Sequence, residues 1–140
     1  MTSPISAELQ ALELSCAECR HCGLAEKRQQ VVVGRGNPEA RLMLIGEAPG
    51  AEEDARGLPF VGRSGQLLSG LIAEAGLDEE QDLYICNVIK CRPPGNRKPT
   101  AQEIDQCRPW LEQQMTLIKP PLVLLAGATA LRAMLGIRSG

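Results

Sequence analysis

The chain has 140 residues, of which 44% are hydrophobic and 23% charged, proportions typical of one globular domain and not of a disordered segment. No apolar run approaches the roughly 20 residues of a membrane span, and the N-terminus lacks a signal-peptide pattern, so we expect a cytoplasmic monomer with no membrane partner. A net charge of -2 excludes a strongly basic overall field.

The first half of the chain contains patterns for two helices and two short strands. Apolar residues at helical spacing predict a first helix that is capped by Ser6 and runs into the cysteines of "CAECRHC". The stretch "VVVG", residues 31–34, predicts a short strand, and the apolar run "RLMLI", residues 41–45, predicts a buried one. An amphipathic helix is predicted from Ser64, with Gly76 as its C-cap.

The second half continues the alternation of strands and helices. "DLYICNVI", residues 82–89, predicts a strand, and Thr100 with Glu103 forms a capping box for a helix that Pro109 should kink or confine to its later turns. "PLVLLAG" and "ATALRAMLG" predict one more strand and helix. The alternation indicates a single α/β domain over residues 1–140, with a mainly parallel sheet covered by helices on both faces.

A parallel sheet predicts where a ligand binds. Ligands lie beyond the carboxyl ends of the strands, here the loops that begin at Gly46, at Cys86–Asn87 and at Gly127. The loop "GEAPG" lacks both the ending of a phosphate-binding loop and the dinucleotide fingerprint. Glu47 is then either a carboxylate held for chemistry or an acceptor for loop amides, and Asn87 either binds a ligand or satisfies backbone groups at the strand end.

Two features allow contact with nucleic acid. Phe60, the only phenylalanine, lies in the glycine-containing loop "GLPFVG", where it is either a core residue or a surface on which a base stacks. A stretch without acidic residues, from Cys86 to Gln102, is either a solvated loop or a patch that meets a phosphate backbone. Its basic residues are Lys90, Arg92, Arg97 and Lys98.

The six cysteines indicate metal ligation more than disulfide bonding, because a reducing compartment disfavours disulfides. Near the N-terminus, Cys16 with Cys19 and Cys19 with Cys22 both have CxxC spacing, while Cys91 and Cys107 lie sixteen positions apart. Metal ligation is the leading interpretation of these thiols, and buried packing and redox chemistry are the alternatives.

Several motifs together resemble one family. "GEAPGAEED", "GLPFVGRSGQLL" and "YICNVIKCRPPGNRKPT", with the cysteine spacing, are similar in order and content to family-4 uracil-DNA glycosylases of the iron-sulfur type, from about Cys19 to Gly136. The resemblance implies a three-layer α/β/α fold and a 4Fe-4S cluster, with zinc as the alternative. The implied ligands are Cys19, Cys22, Cys91 and Cys107, which makes Cys16 and Cys86 packing residues.

The resemblance also implies an activity, the hydrolysis of the N-glycosidic bond of uracil in single- or double-stranded DNA during base-excision repair. It makes Asn87 the residue that reads uracil and Phe60 the ring that stacks on it. Backbone groups from Gly46 to Ala48 line the pocket, and Glu47 is catalytic, by positioning water or countering charge on the sugar. Ala48 stands where related families have an aspartate.

Two departures from the family pattern set further expectations. The family has a C-terminal His-Pro-Ser segment whose histidine hydrogen-bonds uracil, and this sequence, whose only histidine is His21, does not contain it. We therefore expect a C-terminally truncated domain without the last strand and helix of the fold, with an uncovered sheet edge or core face and impaired catalysis. The alternative is a non-catalytic iron-sulfur or zinc module that binds nucleic acid, or an inactive fragment. Relatives that crosslink covalently to DNA carry a basic insertion ending in a reactive histidine between the positions of Cys91 and Cys107. This sequence has no such insertion, so we expect no covalent DNA adduct.

Overall fold

A computed structural model describes residues 4–17, 30–93, 95 and 97–139. Its helices are α1 (Pro4–Ala17), α2 (Ala51–Arg56), α3 (Arg63–Glu74), α4 (Ala101–Ile118) and α5 (Ala128–Ser139). Its strands are β1 (Arg35–Gly36), β2 (Leu42–Gly46), β3 (Leu83–Asn87) and β4 (Leu122–Leu125). No described helix has both the length and the apolar content to cross a bilayer.

The four strands form one sheet in the order β1-β3-β2-β4. β2 is parallel to both β3 and β4, and only the two-residue β1 pairs antiparallel, with β3. The expectation of a mainly parallel sheet is therefore confirmed. Within the described residues β4 is an edge strand, and on the face of the sheet that it shares with Leu44 its Leu122 is 65% and its Leu124 50% exposed.

Helices cover both faces of the sheet because alternate strand residues point to opposite sides. On one face Met43 and Tyr84 pack with residues of α1, α4 and α5. On the other, Leu44 and Ile85 pack with Ile72 of α3. This is the three-layer α/β/α arrangement.

Four local predictions need correction. The predicted strand "VVVG" is not part of the sheet. Val32 donates its N–H to the Lys90 carbonyl at 2.7 Å, and Lys90 lies beyond Asn87, the last residue of β3. The first helix begins at Pro4 and not after a Ser6 cap, since proline is favoured in a first helical turn. The short helix α2 lies between the predicted loops "GEAPG" and "GLPFVG", where the sequence analysis predicts no helix although the first turn is acidic.

The fourth correction concerns one of the two outcomes predicted for Pro109: the proline lies inside α4 and does not confine the helix to its later turns. Buried residues occur on both sides of the proline, among them Ile104 and Leu111. Their burial offsets the roughly 3 kcal/mol that a proline costs inside a helix, so the helix continues through it.

The start of α4 matches the predicted capping box. Thr100 Oγ1 accepts from the Glu103 N–H at 3.1 Å, and Glu103 Oε1 accepts from the Thr100 N–H at 2.9 Å. Arg97 adds a two-pronged ion pair, with both N···O distances 2.8 Å. The Arg97 guanidinium, with help from the Thr100 N–H, lowers the pKa of Glu103 to about 2.

We predict that Glu103→Gln destabilises the protein at pH 7 by about 1–2 kcal/mol, through a weakened cap and a lost ion pair. The Glu103 pKa in the folded state lies below its ordinary value of 4.5, so this stabilisation is present above pH 4.5 and is lost as the pH falls towards 2. The difference in the free energy of unfolding between wild type and variant, measured with denaturant, should narrow as the pH falls over that range.

Glu112→Gln is the matched control, since Glu112 lies exposed on the same helix and should change stability by no more than about 0.5 kcal/mol. If the stability difference between wild type and Glu103→Gln stayed constant from pH 7 to pH 2, the stabilisation would not come from the ionised Glu103 carboxylate.

Candidate functional site

The site forms where the carboxyl ends of β2 and β3 meet. In the parallel register Gly46 lies opposite Asn87, so the loops that leave the two strands start side by side. Beyond the strands, Val88 donates its N–H to the Gly46 carbonyl at 2.9 Å and Ile89 donates to the Glu47 carbonyl at 3.0 Å. The two loops are therefore joined by backbone hydrogen bonds, which leaves their side chains to line a cavity.

Strand β4 brings a third loop to the same edge. The Ala126 N–H donates to the Ile45 carbonyl at 2.8 Å, and the next residue, Gly127, has φ 104°. A Cβ at Gly127 would lie 3.0 Å from Glu47 Cδ, so the carboxylate packs directly against this glycine. Only glycine combines that backbone angle with that approach.

Phe60 and Asn87 converge on Gly46. A Cβ built on Gly46 would lie 2.6 Å from Asn87 Oδ1 and 2.9 Å from Phe60 Cε2, so the ring and the amide occupy the space in front of this glycine. Asn87 is 3% exposed, yet its side-chain amide makes no hydrogen bond to any described residue. Because Asn87 borders the cavity, these donors and acceptors are open to a ligand that enters it.

These residues line a cavity of about 390 Å³, within the range of small-molecule sites. Every residue that the sequence analysis assigned to uracil binding borders it, and Arg97 and Lys98 form part of its wall. The assigned residues are Gly46, Glu47, Ala48, Phe60 and Asn87.

Lys90, predicted to contact DNA, is not on the surface. It is 1% exposed, and its Nζ donates to the Asn87 carbonyl and to Gln114 Oε1, both at 2.6 Å. Gln114 in turn donates to Tyr84 Oη at 3.2 Å. This prediction is wrong because the basic stretch turns inward at Lys90, where the ammonium binds buried acceptors. Of the other basic residues, Lys98 is exposed and Arg92 partly buried.

The predicted metal ligands lie only partly within the described residues. Cys91 and Cys107 are both buried, and the backbone N–H of Lys90 donates to Cys107 Sγ at 3.3 Å. Cys19 and Cys22 lie outside the described residues. Over the ranges that the structure covers, no three His, Cys, Asp or Glu residues gather into a metal site.

Cys16 and Cys86 are buried, as expected for packing residues. Burial raises the pKa of the Cys86 thiol, although the neighbouring Lys90 opposes this rise. A neutral thiol in the core suits packing better than reactivity.

Sequence reasoning missed Glu53, which borders the cavity. Burial raises its pKa, but N–H donation from Gly62, Gly50 and Val61 outweighs burial and lowers it, so the group is an anion. The signal was present as a Glu at the third position after Gly50, a capping pattern at the start of α2.

Comparison with known proteins identifies the family. A family model described as "Uracil DNA glycosylase superfamily" matches residues 33–140. The type-4 uracil-DNA glycosylase of Thermotoga maritima is 50% identical over 114 residues, which are 81% of this chain and 59% of that protein. The type-4 enzyme of Archaeoglobus fulgidus is 45% identical over 112 residues, 80% of this chain and 56% of that protein.

A type-5 uracil-DNA glycosylase, from Thermus thermophilus, is 39% identical over 118 residues, 74% of this chain and 53% of that protein. The chain thus spans between half and two thirds of the length of these relatives.

We predict that Gly46→Ala destabilises the protein by about 1–3 kcal/mol, because the new methyl group overlaps the Phe60 ring and the Asn87 amide. The measurement is the free energy of unfolding in denaturant.

Gly70→Ala is the control, since a Cβ at Gly70 in α3 meets nothing within 4 Å. That variant should be more stable than wild type by roughly 0.5–1 kcal/mol, because alanine favours a helix. Unchanged stability in Gly46→Ala would show that the ring and the amide do not crowd this glycine.

Proposed function

The chain belongs to the uracil DNA glycosylase superfamily, and we propose on that premise that it hydrolyses the N-glycosidic bond of uracil extruded from DNA. The observation that carries the proposal is the side-chain amide of Asn87, which borders the cavity beside Phe60 and makes no hydrogen bond to any residue that the structure describes. The names of the type-4 relatives support the same substrate.

Asn87 distinguishes uracil from cytosine by its hydrogen-bonding pattern. Its amide N–H donates to uracil O4, and its carbonyl accepts from N3–H. Cytosine presents a donor at the first position and an acceptor at the second, so two buried groups would lose their partners at a cost of about 1–3 kcal/mol each. The Lys90 ammonium donates to the main-chain carbonyl of Asn87 and so holds the backbone of this residue in place.

Phe60 supplies the stacking surface and Glu47 the charge. Base–aromatic stacking contributes roughly 1–3 kcal/mol per base, and Phe60 borders the cavity next to the reading amide. Glu47 is held against Gly127, where its carboxylate counters positive charge that develops on the sugar or orients the attacking water. Backbone groups of Gly46 and Ala48 complete the wall.

The DNA backbone is contacted by the basic side of the cavity. Lys98 is exposed, and the Arg97 side chain remains 43% exposed although it pairs with Glu103. With Arg92 these cations attract phosphates that flank the extruded nucleotide. We propose that a monomer binds uracil-containing DNA, single- or double-stranded.

Four cysteines are proposed to hold a 4Fe-4S cluster, with Cys91 and Cys107 as two ligands and Cys19 and Cys22 as the others. The described pair fits this role, because both residues are buried and Cys107 Sγ accepts a backbone N–H, an interaction that stabilises a thiolate. When bound, the cluster supplies a crosslink between distant parts of the chain. Zinc on the same thiolates is the alternative.

The activity is tested with an oligonucleotide that contains one uracil, by measuring alkali-labile abasic sites. We expect cleavage by the wild type and at least a tenfold slower rate for Asn87→Ala, since each lost hydrogen bond costs about 1–3 kcal/mol. Gln66→Ala, exposed on α3, should retain the wild-type rate. A folded protein that binds the oligonucleotide without releasing uracil would favour the non-catalytic module.

The cluster is tested by metal analysis of protein purified without oxygen. We expect iron and labile sulfide in the wild type, and loss of both in Cys91→Ser and Cys107→Ser. Cys86→Ala and Cys16→Ala should keep the iron, because these residues pack in the core. Zinc without sulfide would replace the cluster assignment, and iron loss in Cys16→Ala would move the N-terminal ligand pair to Cys16 and Cys19.

A further inference from the structure

The loop that carries Phe60 has a strained backbone. Phe60 has φ 55°, and it is one of only two described non-glycine residues with positive φ. A bulky residue in the left-handed region persists only where its surroundings hold it there. The contacts around Phe60 therefore explain how the ring is kept at the cavity.

The Glu53 carboxylate accepts hydrogen bonds from the backbone that follows Phe60. Glu53 Oε2 accepts from the Val61 N–H at 3.0 Å and from the Gly62 N–H at 2.8 Å. Glu53 Oε1 accepts from the Gly50 N–H at 2.9 Å. One carboxylate thus joins the loop after β2 to the two amides immediately after the ring-bearing residue.

The Arg35 guanidinium donates hydrogen bonds to the backbone carbonyls of Pro59 and Phe60. Arg35 Nε donates to the Pro59 carbonyl at 2.8 Å, and Arg35 Nη2 donates to the Phe60 carbonyl at 3.2 Å. The guanidinium is anchored by Glu79 at 3.0 Å, and Glu79 also accepts from the Ser69 hydroxyl at 2.8 Å. Arg35 is thereby fixed between the sheet and α3.

We propose that Glu53 and Arg35 are positioning residues which clamp the backbone on both sides of Phe60 and so set the orientation of its ring for stacking on the extruded base. The use of the ring for stacking rests on the proposed function, whereas the clamp itself concerns only the loop. Arg35 does not border the cavity, so its effect reaches the base through Phe60.

The ring can be followed without any activity, because Phe60 is the only phenylalanine in the chain. Protein made with 4-fluorophenylalanine should give one ¹⁹F NMR signal. We expect that signal to shift or broaden in Glu53→Gln, which leaves one carbonyl oxygen as acceptor, and in Arg35→Lys, which loses the forked donors.

The matched controls are Glu52→Gln and Arg56→Lys. These residues form an exposed ion pair on α2, beside Glu53, with an N···O distance of 3.5 Å. The same chemical changes are thus made next to the clamp but outside it, and the ¹⁹F signal should stay at its wild-type position.

Excision rates measured in a Phe60→Ala background separate positioning from general stability. We expect Glu53→Gln and Arg35→Lys each to slow uracil release by about 10-fold to 100-fold in the wild type, as stacking energies suggest. In the Phe60→Ala background each should cause no further loss, because the ring through which they act is gone.

Each variant tests its own residue. A wild-type ¹⁹F signal in Glu53→Gln or in Arg35→Lys would overturn the proposal for that residue, and so would a rate loss that multiplies with that of Phe60→Ala. If the wild-type protein releases no uracil while the ¹⁹F signal responds to the clamp variants but not to the controls, the proposed function fails and the clamp stands.

Discussion

The register between β2 and β3 is the constraint on which the site depends. Gly46 lies opposite Asn87 as the last pair of the parallel ladder, so the residue without a side chain faces the residue whose side chain fills the space. Because side chains alternate along a strand, a slip of one residue would turn Asn87 to the other face of the sheet. The buried residues of both strands specify the register, since both faces are packed.

The site is built from fixed backbone more than from mobile side chains. Hydrogen bonds from Val88 and Ile89 join the two loops, and Lys90 binds the Asn87 carbonyl from behind. A lysine buried with neutral acceptors costs free energy unless the acceptors are well placed, and the two 2.6 Å contacts supply that compensation. Side chains in the cavity therefore stand on a backbone that is already ordered before a ligand arrives.

The core of the fold was predictable from local pattern, and the exceptions have identifiable causes. The strands β2 and β3, the helix α3 and the Thr100 capping box follow from apolar runs and caps that lie within a few residues. The inward turn of Lys90 depends on Gln114, a partner 24 positions away, and no local signal announces it. The same holds for the valines before β1 and for the persistence of α4 through Pro109, which tertiary packing decides. At the site, strand ends placed Glu47 and Asn87 at one edge, but the contacts of Phe60 with Arg35 and Glu53 arise only from the folded chain.

Helix α4 takes part in several roles at once. Its first turn holds Arg97 through Glu103, its middle carries Cys107, and its later half presents Gln114 to Lys90 and so to the backbone of Asn87. These properties are mechanically coupled, since one substitution that shifts the helix along its axis would disturb all of them together. Adaptation of any one of them should proceed through residues that face away from this helix.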